Sequence, residues 1–250
     1  LLGIKGYNKK KSKGVPIGFE RIVYMKPMDF EEFLWAKGIS EDVVQYLREC
    51  YKNKTPVSDA THQAMLRYFK EYICVGGLPY IVDQFITTND MNVVWQNQRD
   101  IIEEYRDDFG KHLDENENEE IDLTLLARIN RVFESIPAQL AKENKKFVFS
   151  VIEKKGRSEN YLPAIQWLCD FGIITLCHNL NNITEPIEGN KIDNDISLIE
   201  VKATTGNTKS AKTVLRNSQY DVNICYKLSE NNIGVAENII MIPYYMTFLL

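Results

Sequence analysis

A carboxylate and an ammonium group lie two residues apart near the carboxyl end of the chain, at Glu200 and Lys202. Residues 196–202 are rich in β-branched side chains, which predicts a strand. Because the side chains of a strand alternate between its faces, Glu200 and Lys202 should project together, away from Ile199 and Val201. A carboxylate in this position can help to hold Mg²⁺, and the lysine can steady an attacking water or the charge that develops on a phosphate. An ion pair at a sheet edge accounts for the same two residues equally well.

Hydrolysis assisted by Mg²⁺ needs a second carboxylate, and Asp193 and Asp195 are the candidates that precede the strand. Both lie in residues 191–195, whose composition is typical of a tight turn. The predicted catalytic residues are therefore Glu200, Lys202 and Asp195. The predicted metal ligands are Glu200, Asp193 and Asp195.

Basic residues concentrate before a predicted helix at residues 159–171. The candidates for contact with a nucleic-acid phosphate backbone are Lys145, Lys146, Lys154, Lys155 and Arg157. A local basic cluster can bind a polyanion even in a protein of net negative charge. A module that only packs domains against each other would carry the same residues on a solvated surface, so both interpretations stay open.

Apolar side chains recur at the 3.6-residue period of a helix along much of the chain. Asp29, with Glu32 three residues later, is typical of the capping box that begins a helix. Further helices are predicted at residues 41–53, 61–74, 91–111, 159–171 and 209–217, with a short segment at 138–143. Asp122 or Thr124 should cap another helix, which ends where Pro137 turns the chain. Strands are predicted at 173–177, 196–202, 222–228 and 239–242, and residues 147–152 fit a strand or a short helix.

The order of these elements indicates the fold class. Between residues 122 and 180, a helix, a short helix, an exposed connection, a helix and a strand follow one another as in a winged helix-turn-helix. From residue 181 onward, the succession of strand, helix and strand indicates a small α/β end. The sequence therefore predicts a mixed, helix-rich α/β protein of two or three modules.

The composition is that of a folded globular protein, with 250 residues, 44% of them hydrophobic and 26% charged, and a net charge of −5. That balance excludes a protein coated in basic surface. No apolar run reaches the roughly 18 to 20 residues that cross a membrane, so the expected location is the cytoplasm. Five widely spaced cysteines form no CxxC pair, and buried free thiols are expected.

Four stretches, taken together and in order, resemble a known family. They are residues 27–34 (PMDFEEFL), 76–79 (GGLP), 135–147 (SIPAQLAKENKKF) and 199–202 (IEVK). They look like prokaryotic ATPases of the AAA type that carry a carboxyl-terminal domain of unknown function with a nuclease-like core. The resemblance runs along nearly the whole chain.

This resemblance implies four parts: a remnant edge of the P-loop domain at residues 1–37, a helical lid region at 38–121, a winged-helix-like module at 122–180 and a shortened nuclease-like α/β end at 181–250. Relatives of full length are expected to bind ATP and Mg²⁺, but the GxxxxGK[ST] phosphate loop has no counterpart here. The family's longer stretch before the IEVK strand, which includes an acidic motif, is missing between residues 190 and 199.

The expected function is that of a binding and regulatory portion, which does not hydrolyse ATP by itself and has DNA or a protein as its partner. A Mg²⁺-dependent nuclease and an inert protein-interaction module are the alternatives.

Overall fold

The computed structural model describes residues 25–113, 122–142, 146–177, 198–202, 209–217 and 222–250. Within these ranges the chain forms helices and one small sheet, which confirms a mixed, helix-rich α/β protein. The helices are α1 (Phe30–Ala36), α2 (Glu41–Asn53), α3 (Asp59–Val75), α4 (Pro79–Thr88), α5 (Met91–Leu113), α6 (Leu123–Leu140), α7 (Phe149–Ile152), α8 (Ser158–Asp170) and α9 (Lys209–Leu215). The strands are β1 (Leu198–Val201), β2 (Cys225–Ser229), β3 (Gly234–Ala236) and β4 (Ile239–Pro243), and a 3₁₀ helix follows at Tyr244–Leu249.

The described residues fall into two compact units. The helical unit comprises residues 98–113, 122–142 and 146–177, and the mixed unit comprises residues 25–97, 198–202, 209–217 and 222–250. The domain boundaries expected after residues 37, 121 and 180 stay predictions. None of the described helices combines the length and the apolarity required to cross a membrane.

The first helices of the mixed unit begin where local sequence signals place them. The Asp29 side chain accepts a hydrogen bond from the Glu32 amide at 2.9 Å, and the Glu32 carboxylate accepts one from the Asp29 amide at 2.9 Å, which confirms the capping box. Helix α2 has the predicted bounds. The sequence analysis predicts no helix between residues 74 and 91, whereas the structure has α4 there, with Pro79 in its first turn. Gly77 is required before it, since a Cβ there would lie 2.2 Å from the Met28 carbonyl oxygen.

The sheet of the mixed unit has the strand order β1-β2-β4-β3. Strand β2 pairs in parallel with both β1 and β4, whereas β3 pairs antiparallel with β4. Helix α9 packs on the sheet through Ala211, which contacts the buried side chains of Cys225 and Ile239. Among the described strands, β1 therefore lies at one edge of a largely parallel sheet.

An aromatic cluster forms much of the core between helices α1 to α4 and the 3₁₀ helix. Phe30 packs edge-on against Phe69, with ring centroids 5.1 Å apart, and Phe69 stacks on Tyr244 at 6.3 Å. Beside the cluster, the buried His62 side chain contacts the Tyr245 hydroxyl at 2.8 Å through Nδ1. The Nε2 atom of His62 lies 3.1 Å from the backbone carbonyl oxygen of Glu230, which only a protonated nitrogen can contact favourably. The Tyr245 hydroxyl therefore donates to Nδ1.

The helical unit is built on α6 and α8, which enclose a core that includes Phe109, Ile129, Trp167 and Phe171. The prediction that Pro137 ends the first of these helices is wrong, because α6 continues to Leu140. The last turn is retained by the buried Gln139 side chain, whose amide group donates to the Val148 carbonyl at 2.9 Å and accepts from the Val148 amide at 3.1 Å.

Residues 147–152 take the second of the two predicted forms, a short helix, and the strand expected at residues 173–177 does not form. Gln139 already satisfies both backbone groups of Val148, and the residues after it form the short helix α7 rather than a strand. Residues 173–177 have no strand partner among the described residues, and Ile173 and Ile174 pack against the core of the unit instead. The described part of this unit is therefore a helical module without a wing strand.

Only some of the free cysteines are buried. Cys50 and Cys225 are buried, as expected, whereas Cys74 and Cys177 are exposed. The expectation of buried thiols is therefore wrong for the last two.

The hydrogen bond between His62 and Tyr245 gives a test of the mixed unit's core. Tyr245→Phe removes the donor to a buried ring nitrogen, so we expect the free energy of unfolding to fall by about 1–3 kcal/mol. Urea denaturation measures the change. Tyr80→Phe is the matched control and should change stability very little, because Tyr80 is 55% exposed. Equal stability of Tyr245→Phe and the natural chain would contradict this account of the core.

Candidate functional site

Glu200 and Lys202 lie on the same face of β1 and contact each other. The Nζ atom of Lys202 is 3.2 Å from Oε1 of Glu200, and the two side chains are 34% and 10% exposed, respectively. The β-branched residues Ile199 and Val201 alternate with these polar residues along the chain. Their side chains are exposed on the opposite face of the strand. The structure therefore brings together two of the predicted site residues at the edge of the parallel sheet.

The second carboxylate oxygen of Glu200, Oε2, is buried and has no hydrogen-bond partner. A buried carboxylate oxygen without a partner is costly, and such an atom in a folded protein calls for an explanation. A bound divalent cation would satisfy it, since Mg²⁺ is commonly held by one or two carboxylates with water and substrate phosphate as the other ligands. The Glu200 carboxylate is therefore suited to be a ligand of a divalent cation.

The remaining ligands are not supplied by the part of the chain that the structure describes. No group of three His, Cys, Asp or Glu side chains that could hold a metal ion occurs among the described residues. The predicted ligands Asp193 and Asp195 lie outside the described residues. The protein's described contribution to a metal site is thus a single carboxylate oxygen.

Lys227 is a residue of this site that the sequence did not reveal. It lies on β2 directly opposite Glu200 in the parallel register, so that both side chains are on one face of the sheet, and it is only 6% exposed. Burial of a lysine is unusual, and the only signal in the sequence is a lysine between Tyr226 and Leu228 in a predicted strand. Its position opposite Glu200 depends on strand pairing, which the sequence does not give.

The negative charge of Glu200 also affects its other neighbour on β2. Burial raises the pKa of the Cys225 thiol, and the charge of Glu200 raises it further. Cys225 is therefore an inert, protonated side chain in the sheet and not a nucleophile.

The backbone of Lys202 is held on both sides. Its amide donates to the Leu228 carbonyl at 3.0 Å, and its carbonyl accepts a hydrogen bond from the Tyr244 hydroxyl. Burial raises the pKa of Tyr244, and the charge of Glu230 adds to this effect, so the hydroxyl remains a donor at neutral pH. The 3₁₀ helix therefore fixes the end of β1 at the residue that carries the site's lysine.

A separate basic turn lies in the helical unit, between α7 and α8. The Gly156 amide donates to the Glu153 carbonyl at 2.7 Å, which closes the turn, and a Cβ at Gly156 would lie 2.6 Å from the Phe149 carbonyl oxygen. The turn presents the exposed side chains of Lys154, Lys155 and Arg157. None of these three has an ion-pair partner in the described ranges of the chain.

The other two predicted nucleic-acid contacts are less well placed. Lys146 is exposed and has a contact of its own within the chain. Lys145 lies outside the described residues.

Helix α8, which follows the basic turn, carries no cation. Its exposed side chains include the acidic residues Glu159 and Asp170 and the apolar Leu162. A recognition helix in the major groove contacts bases and phosphates mainly through basic and amide side chains. Helix α8 therefore has no basic side chain for contact with a duplex, and three of the predicted phosphate contacts lie in the turn before it.

Residues 66–192 match the model of a family described as a domain of unknown function, DUF8612. The match covers half of the chain and includes the basic turn, and it ends before β1. No curated protein and no solved structure matches the chain.

The hydrogen bond from Tyr244 to Lys202 can be tested by itself. Tyr244→Phe should lower the free energy of unfolding by about 1 kcal/mol and speed amide hydrogen exchange at Lys202, because the end of β1 loses one of its two anchors. Tyr226→Phe is the control, since the Tyr226 hydroxyl has no hydrogen-bond partner among the described residues. If exchange at Lys202 is the same in both variants, the 3₁₀ helix does not position this strand.

Proposed function

The chain belongs to the DUF8612 family, whose description names no activity, and we propose that it is the binding and regulatory portion of an AAA-type ATP-binding protein and contacts the phosphate backbone of DNA. The observation that carries this proposal is the basic turn, which presents Lys154, Lys155 and Arg157 to solvent without an acidic partner. The chain has acidic groups in excess, with 35 Asp and Glu against 30 Lys and Arg, so an unpaired cluster of three cations is not a consequence of composition.

Some of the other cations in the described part of the chain are paired internally. Lys37 pairs with Glu71 at 2.6 Å, and Arg48 pairs with Glu31 at 2.6 Å. Such pairs neutralise the cation and reduce its attraction for a polyanion. The cations of the basic turn keep their full charge, and the tight turn that carries them limits the entropy lost on binding.

The binding proposed here is independent of base sequence. Phosphate contacts position a protein on the duplex, and discrimination between sequences requires contacts with base edges. Helix α8 offers no basic side chain for such contacts. The protein should therefore bind duplexes of different sequence equally well and should respond steeply to salt.

ATP hydrolysis is not part of the activity proposed for this chain. A phosphate loop supplies the backbone amides and the lysine that cradle the phosphates, and the sequence contains no GxxxxGK[ST] motif. The proposal therefore assigns nucleotide hydrolysis to a P-loop domain of a longer relative, with residues 1–37 as its remnant edge and residues 38–121 as its lid.

The salt dependence of DNA binding tests the basic turn. The triple variant Lys154→Gln, Lys155→Gln and Arg157→Gln should bind more weakly, and the slope of log affinity against log salt should fall in magnitude by about 3, because each lost phosphate contact contributes about 0.9 to the slope. Fluorescence anisotropy of a labelled duplex at several salt concentrations measures both quantities.

The matched control replaces three exposed cations of the mixed unit, Lys52, Lys54 and Arg67, by Gln, which changes the net charge by the same amount. Lys54 and Lys155 both have a positive φ, so the backbone cost of the substitution is similar in the two variants. Equal salt slopes in the two triple variants would contradict DNA binding by the basic turn.

The second candidate function is Mg²⁺-dependent cleavage of a phosphodiester, and the buried, unpartnered Oε2 of Glu200 favours it. When bound, Mg²⁺ would supply Lewis-acid activation of water and of the scissile phosphate. The role of Glu200 would be to hold the cation, with Asp193 or Asp195 as the second acid. Lys202 is 34% exposed beside it and would contact the phosphate.

Removal of the Glu200 carboxylate tests this second function. Glu200→Gln should abolish both the cleavage of labelled DNA in Mg²⁺ and any rise in the melting temperature that Mg²⁺ produces. Glu237→Gln, which changes an exposed carboxylate between β3 and β4, should leave both unchanged. Cleavage that persists in Glu200→Gln would exclude the nuclease. If neither this test nor the salt titration detects DNA, a protein-interaction module becomes the better account.

A further inference from the structure

The helical unit contains a cavity that neither the basic turn nor the Glu200 site uses. Its volume is about 450 Å³, and it lies where the first turns of α6 and α8 approach the end of α7. Pockets that bind small molecules generally begin at about 300 Å³, so the cavity is large enough for a ligand of moderate size. The polar side chains that line it are those of Thr124, Arg128, Arg131, Glu153, Asn160 and Tyr161.

One wall of the cavity is fixed by a chain of polar contacts. The buried Tyr161 hydroxyl donates a hydrogen bond to Oε2 of Glu153, and the Nη1 atom of Arg131 lies 3.4 Å from the same oxygen. The hydrogen bond with Glu153 is the main reason that the pKa of Tyr161 is raised, and burial adds to it, so the phenol stays protonated and keeps donating. Glu153 therefore holds the Arg131 guanidinium at the cavity wall and neutralises it.

Arg128, one turn earlier on α6, has no such carboxylate partner among the described residues. Its side chain is half-buried and lines the same cavity, yet no carboxylate or carbonyl among the described residues accepts a hydrogen bond from its guanidinium. The Thr124 hydroxyl and the Asn160 amide also line the cavity without a partner in the described chain. Donors from two helices thus face the space, and its one carboxylate is already engaged by Arg131 and Tyr161.

We propose that this cavity binds a phosphate group, with Arg128 as its principal ligand and Thr124 and Asn160 as neutral donors. The two guanidiniums and the single carboxylate leave one positive charge, which matches the charge of a phosphodiester or of a singly ionised phosphate ester. A carboxylate ligand offers two oxygens in one plane, whereas the tetrahedral oxygens of a phosphate can accept from α6 and α8 at the same time. The fork of an arginine guanidinium can bind two of those oxygens together.

This site goes beyond the DNA contacts proposed for the basic turn, and its phosphate can come from a free nucleotide or from a nucleic-acid backbone. Isothermal titration calorimetry of the whole chain with inorganic phosphate, with AMP and with a short DNA duplex separates the two sources. For each of these probes that the natural chain binds at this site, we expect Arg128→Met to weaken the affinity at least tenfold. Arg128→Lys should recover part of the affinity, because it keeps the charge and loses the fork.

Arg67→Met is the matched control, since it removes an exposed arginine from α3, in the other unit, and should leave binding unchanged. Melting temperatures of all the variants establish that they fold. Loss of AMP or phosphate binding in Arg128→Met assigns the site to a free phosphate compound, and loss of duplex binding alone assigns it to a nucleic-acid backbone. Identical affinities of Arg128→Met and Arg67→Met for every probe would overturn the proposal, whatever the triple variant of the basic turn shows.

Discussion

The buried hydrogen bond between His62 and Tyr245 is the interaction on which the arrangement of the mixed unit depends. Burial raises the pKa of Tyr245 far above its ordinary value, so the hydroxyl remains a donor. The other nitrogen of His62 donates to the Glu230 carbonyl just beyond β2, and the imidazole therefore ties α3 to both the sheet and the 3₁₀ helix. The next residue back, Tyr244, donates to the Lys202 carbonyl at the end of β1. A core contact thus fixes the backbone of the candidate site two elements away.

Amide side chains perform a related task at two further places, where each pairs with a backbone in the manner of a strand. In the mixed unit, the Asn232 amide donates to the Val57 carbonyl at 2.6 Å and accepts from the Val57 amide at 2.9 Å. In the helical unit, Gln139 does the same for Val148. Each amide satisfies two backbone groups that no ladder reaches, which avoids the cost of burying them unpaired. Gln139 thereby anchors the chain just before the short helix that leads into the basic turn.

Local signals in the sequence predicted the elements whose stability is local. The capping box at Asp29, the bounds of α2 and the alternation of β1 all depend on residues within one or two turns, and the structure has them as predicted. The continuation of α6 through Pro137 was not predictable in this way, because it is stabilised by a partner nine residues beyond Gln139. The strand expected at residues 173–177 failed for the same reason, since a strand exists only where a partner is available.

The residues of the candidate sites also differ in whether local sequence signals could predict them. Glu200 and Lys202 were found because a strand brings alternate residues together, and the basic turn was found because its cations are close in sequence. Lys227 and Tyr244 reach the Glu200 site through strand pairing and through the 3₁₀ helix, and Arg128 and Asn160 line one cavity because α6 packs on α8. Contacts of that kind depend on tertiary structure, and residue spacing alone carries no information on them.

The most direct test of the central claim is a lysine footprint. The chain is acetylated briefly with and without a saturating DNA duplex at low salt, and the modification of individual lysines is measured by mass spectrometry, with Lys52 and Lys54 as internal references. The account predicts that DNA slows the acetylation of Lys154 and Lys155 several-fold and leaves the reference lysines unchanged. Equal acetylation of Lys154 and Lys155 in the two samples would contradict the assignment of the basic turn as the DNA-binding surface.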